Sequence, residues 1–201
     1  MRTINASAIP TLANCFSRCR DFEGNSIALF DGGVKALKDP NYPSHAFPIT
    51  REYGFIMTTD EIEGGLTEES LERFCKNDKN LIVSCYYWTG WDDTLLRAKA
   101  EAWLASIRSK GGKPASYNFQ FIWYRLFKFL HLMFIANIWK KSIKFQAMAC
   151  AQESNRILRI HGCPWAKSDD DISPKELEDI AEKAFQNNNQ CRKITDFYVT
   201  Q

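Results

Sequence analysis

The sequence lacks a long uncharged apolar run, an excess of charge of either sign, and a cysteine cluster with metal-binding spacing. Its 201 residues carry 26 basic and 24 acidic side chains. The basic bias of a dedicated nucleic-acid binder is missing, and no nucleic-acid partner is expected. The most apolar stretch, 119–139, is interrupted by Arg125, Lys128 and His131. Its longest part free of Lys, Arg, Asp and Glu falls short of the roughly 20 apolar residues that cross a hydrocarbon core. It reads as a buried or amphipathic helix, with membrane contact through 119–139 possible in principle but not favoured. The opening MRTINASAIPTLANC has no apolar core of signal-peptide length. A cytoplasmic, reducing setting with free thiols is therefore expected, unless phage or secretion machinery delivers the protein elsewhere.

The cysteines are seven, an odd set. Cys15 and Cys19 are spaced CxxxC with no second pair and no histidine at finger-like distance. Two thiols on one turn of an N-terminal helix is the favoured reading, ahead of a zinc site. The acidic run 169–171 lacks the ligand alternation of a calcium loop and reads as solvated. No metal and no cofactor are expected.

An apolar content of 45% with 25% charged residues is that of an ordinary globular chain. Residues 1–25 read as a polar N-terminal extension and 26–201 as one domain. Strands are expected at 26–31, around 44–47, at 55–59 and at 80–88, with Pro48 making the second short or an edge strand. Thr67 to Cys75 reads as a capped helix. A helix follows from Asp92 to about Ser109, its apolar stripe including Leu95, Leu96, Ala102, Trp103 and Ile107. Beyond 119–139, a helix is expected from Cys150 to about Ile160, closed by Gly162 and Pro164. A capped amphipathic helix is expected within 168–185, and ITDFYVT is expected to close the chain as a strand. Strands with short connections followed by helices imply an α+β fold, not the regular alternation of a doubly wound sheet.

Chemistry would need a nucleophile and a base. Cys150 stands where a helix begins, and free N–H groups there lower a thiol pKa and can hold an oxyanion. Against this stands the commoner state of a cysteine, a small core residue. Among three histidines, His131 lies mid-helix among aromatics and His161 sits at a helix C-terminus, where a cation is simply favoured. His45 follows a proline-bearing loop at the start of a strand, a place from which a side chain can face a groove.

Taken in order, IALFDGG, YPSHAF, GFIMTT with EGGLTEESL, GGKPASYNF and MACAQESNRILRIHG resemble the circularly permuted papain-like, NlpC-type cysteine amidases and hydrolases. The resemblance spans about 26 to 177, with 119–145 standing as a helical insertion. It implies a papain-like antiparallel sheet packed against helices. It further implies Cys150 as nucleophile and His45, after Ser44, as base. An orienting residue would come from Thr58, Asp60 or Glu61. Alanine at 151 departs from the usual serine, and Thr58 departs from the usual glutamate.

The implied reaction is acyl transfer to water through a thioacyl intermediate, with Tyr117 and Ser44 near the substrate. The substrate would be a peptide, a cell-wall peptidoglycan or a lipid-linked acyl group. The alternative from another class is a catalytically inert papain-like binding or structural module, such as a phage or bacterial accessory protein. In that case 119–139 would be its contact surface.

Overall fold

The computed structural model describes residues 9–10, 13–19, 43, 45–50, 53–58, 65–71, 80–90, 94–95, 98–99, 102, 105, 123–124, 126–128, 130–142, 150–169, 171–187 and 191–194. Its strands are β1 (Ala13–Cys19), β2 (His45–Thr50), β3 (Tyr53–Thr58), β4 (Gly65–Ser70), β5 (Asn80–Trp88) and β6 (Cys191–Lys193). Its helices are α1 (Met133–Ser142), α2 (Cys150–Ile160) and α3 (Pro174–Asn187). The strands form one six-stranded sheet in the order β4-β3-β2-β1-β5-β6, and every neighbouring pair is antiparallel. The class is α+β.

Several expectations are corrected. Residues 13–19, expected to be helical within an extension, form β1, which is paired on both sides with β2 and β5. Burial decides the outcome: Ala13, Asn14, Cys15, Phe16 and Ser17 are all fully enclosed, so both faces of this segment are covered. Cys15 and Cys19 then lie four residues apart on an extended chain, about 13 Å, too far to share a metal ion. Thr67–Ser70, read as a helix start, belongs to β4, where Thr67 pairs with Ile56. Tertiary pairing overrides the local capping signal.

Pro48 does not make β2 an edge strand. The ladder between β2 and β3 is confined to Ile49–Gly54 and Thr50–Tyr53. Pairing on that side stops just before the residue that has no N–H to give.

The sheet separates two cores. On one face, Ala13, Cys15, Phe47, Ile49, Ile82 and Cys85 pack with Ile9 and Leu71. On the other, Phe16, Ala46 and Tyr86 meet Ala151 and Leu158 of α2, Leu177 and Ala181 of α3, and Cys163, Ile172 and Cys191. The change of register between Phe16 and Ser17 skips one residue of β5. That bulge lets Ile82 face the first core while Ser84 and Tyr86 face α3.

The helix ends follow their sequence signals. At α3, the Ser173 N–H donates to Glu176 Oε2 (2.8 Å) while the Glu176 N–H donates to Ser173 Oγ (3.1 Å). This is a reciprocal capping box with Pro174 in the first helical position. At α2, Gly162 takes φ 75°, the Cys163 N–H donates to the Leu158 carbonyl and the Gly162 N–H to that of Arg159.

The expected single helix over 119–139 is instead broken at His131, which takes φ 59°. There the Leu132 N–H donates to Phe127 and the His131 N–H to Lys128. This is the same closing geometry with histidine in the position glycine usually fills. The chain turns at that corner and α1 begins at Met133. Residues 94, 95, 98, 99, 102 and 105 are helical as expected, but Leu95 is 54% exposed and Ala102 is exposed, so neither belongs to an inward stripe. The expected strand at 26–31 and almost all of ITDFYVT lie outside the described residues.

Candidate active site

Cys150 is the first residue of α2 and is 5% exposed. The first six residues of α2, Cys150 to Asn155, are all buried. The helix therefore begins inside the molecule, beneath the sheet face built around Phe16 and Ala46. One turn on, Glu153 stands at i+3 from Cys150, on the same side of the helix. It is 1% exposed, and neither carboxyl oxygen has a hydrogen-bond partner among the described residues. Burial raises its pKa well above the ordinary carboxylate value.

His45 opens β2, and three observations fix the side to which it points. Strand alternation groups it with Phe47 and Ile49, both in the core away from α2. Its ring lies 5.8 Å from that of Phe47, the same-face neighbour two residues on. Across the sheet it pairs with Ser17, which in turn pairs with Ile82, again a residue of that core. His45 and α2 are on opposite faces of the sheet. Its Nε2 is shielded from solvent, and burial lowers the imidazole pKa to about 4. An imidazole so desolvated holds a proton poorly and gives little stabilisation to a thiolate–imidazolium pair.

The other histidines offer no replacement. His161 follows the last residue of α2, about 16 Å along the helix axis from Cys150. His131 occupies the exposed corner before α1.

Comparison with protein-family models, with curated proteins and with solved structures returns no match.

Of the remaining sequence-derived candidates, Thr58 ends β3, paired with Gly65 of β4. The antiparallel hairpin register places it at the same end of the sheet as His45. Ser44, Asp60, Glu61 and Tyr117 lie outside the described residues. No group of three or more His, Cys, Asp or Glu side chains that could hold a metal is found among the described residues. Cys15, Cys85, Cys150, Cys163 and Cys191 are all buried. Burial holds Cys163 up at about 12 and Cys191 at about 11, far from a reactive thiolate.

Sequence reasoning missed two polar devices. Ser84 donates to Glu178 (2.6 Å) and the Tyr86 hydroxyl donates to Glu182, which Lys193 also engages (2.9 Å). Desolvation, followed by this hydrogen bond, raises the Tyr86 pKa and keeps the phenol protonated. The second device is Asn155. Its amide nitrogen donates to the carbonyls of Lys167 and Asp169 and its oxygen accepts from the Lys167 N–H. Arg159 adds a bond to the Ser168 carbonyl. Both devices fasten elements together. The i, i+4 spacing of Asn155 and Arg159 put them on one helix face, but nothing in the sequence pointed to the loop they hold.

Proposed function

We propose that this chain is a non-catalytic α+β module, a papain-like frame that binds or supports a partner and does not cleave a substrate. The observation that carries the reading is the sheet lying between His45 and the helix that begins at Cys150. A general base must come within hydrogen-bond reach of the proton it removes. A ring on the far face of a six-stranded sheet cannot do so.

The thiol-hydrolase reading retains one specific support, the position of Cys150 at the first turn of α2. Labelling the folded protein with iodoacetamide at pH 6, followed by peptide mass spectrometry, separates the two. A non-catalytic module gives Cys150 no faster than Cys15, Cys85, Cys163 or Cys191. Selective alkylation of Cys150 tenfold faster than the rest, slowed by His45→Ala, would overturn the proposal and restore the hydrolase.

A further inference from the structure

The exposed apolar surface is concentrated in one place. Of the large hydrophobic side chains exposed among the described residues, Trp123, Leu130, Leu132, Met133, Phe134, Ile135 and Ile138 all lie in the stretch on either side of the His131 corner. Phe134 is 80% exposed, and on α1 only Ala136 is buried among residues 133–138. A helix apolar around most of its circumference is unfavourable in water and marks a contact surface.

Charge identifies what the surface meets. From 102 to 152 the chain contains eight Lys and Arg residues and not one Asp or Glu. The remainder of the chain holds 18 basic and 24 acidic residues. The near-neutral total thus conceals a cationic apolar segment attached to an acidic body. Lys140 and Lys141 occupy the last turn of α1, and Phe134, Ile138 and Lys141 follow one another at i, i+4 and i+7 along it. On the body side, Asp171 accepts from Tyr124 and Lys128, both at 2.9 Å, and so anchors the first arm of the corner to the fold.

We propose that the corner formed by 123–128 and α1 docks on an anionic lipid surface, its apolar side chains entering the acyl boundary and its cations meeting the headgroups. The ten residues of α1 measure about 15 Å, half a hydrocarbon core, so the element lies in the interface and does not cross it. A protein groove would bury the same apolar side chains, but it gives no reason for 51 residues without a single acid. A negatively charged bilayer does.

The inference goes beyond the non-catalytic reading and stands whether or not Cys150 reacts. It is tested by sedimentation of the full chain with vesicles of phosphatidylcholine alone and of phosphatidylcholine with 30% phosphatidylglycerol. Binding is expected to the anionic vesicles only, and to weaken as salt is raised. Phe134→Ser with Ile138→Ser is expected to abolish it, and Lys140→Ser with Lys141→Ser to weaken it tenfold or more. Circular dichroism and a melting curve on each variant show that the fold is retained. His131→Gly, which keeps the corner, is expected to bind as the parent does. Absence of binding to either vesicle overturns the proposal. So does equal binding to both, or a self-association of the free chain that Phe134→Ser removes while vesicle binding stays.

Discussion

At the scale of single residues, His45 and Glu153, desolvated on opposite faces of the sheet, oppose each other in their pH dependence. His45 titrates at about 4 in the folded protein against an ordinary value of 6.5. Between those values the unfolded chain binds the proton and the native one does not, so stability falls as pH drops below about 6.5. Glu153 has the reverse sign. Its folded pKa lies well above the ordinary 4.5, so the unfolded chain releases a proton that the native chain keeps. Stability is lost as pH rises from about 4.5 towards the folded value. Glu153→Gln is expected to remove the loss on the alkaline side, and His45→Gln the loss on the acid side. Chemical denaturation at intervals from pH 4 to 8 measures both. A Glu153→Gln curve parallel to that of the parent would show that the carboxyl is not held as the acid. These two residues also show what the sequence concealed. His45 is legible as a candidate and Glu153 is not, but the cover over each follows from what packs there, and no local pattern encodes it.

At the scale of elements, legibility depended on whether the signal was complete within the element. The α3 start is such a case: Ser173, Pro174 and Glu176 each have a local role, and the two reciprocal hydrogen bonds between Ser173 and Glu176 span three residues. Ser173→Ala is expected to cost about 1 kcal/mol, and Glu176→Ala a smaller amount. The double variant should cost less than the sum, because the two bonds support one another. Thermal unfolding of the three variants checks this, and strict additivity would show that the box contributes nothing as a unit. The close of α2 at Gly162 was equally readable. By contrast, β1 carries a sequence that could be helix or strand, and what settles it is the presence of β2 and β5 on either side. The corner at His131 was missed for a related reason. Histidine is an uncommon residue for the left-handed conformation, so a continuous apolar pattern was read as a continuous helix.

At the scale of the whole molecule, the order of elements in the sequence specified an α+β class, antiparallel pairing came only as an implication of the resemblance, and the domain's beginning was placed at Ser26. The sheet order places β1 between β2 and β5, with Cys15 and Ala13 in one core and Phe16 in the other. An extension could be removed without loss. A central strand cannot, since its loss unpairs both neighbours and opens both cores together. Phe16→Ala alone is expected to cost about 3–5 kcal/mol, a large part of the 5–15 kcal/mol by which domains of this size are stable. Deletion of 1–25 removes that side chain, four further enclosed residues and two ladders of hydrogen bonds, so the shortened chain is expected not to fold. Hydrogen exchange on the intact protein offers a second, milder measure: amides of Ala13–Cys19 should be among the slowest to exchange, opening only with global unfolding. A truncated chain that gave a cooperative melt, or rapid exchange in 13–19, would show that the first 25 residues are dispensable.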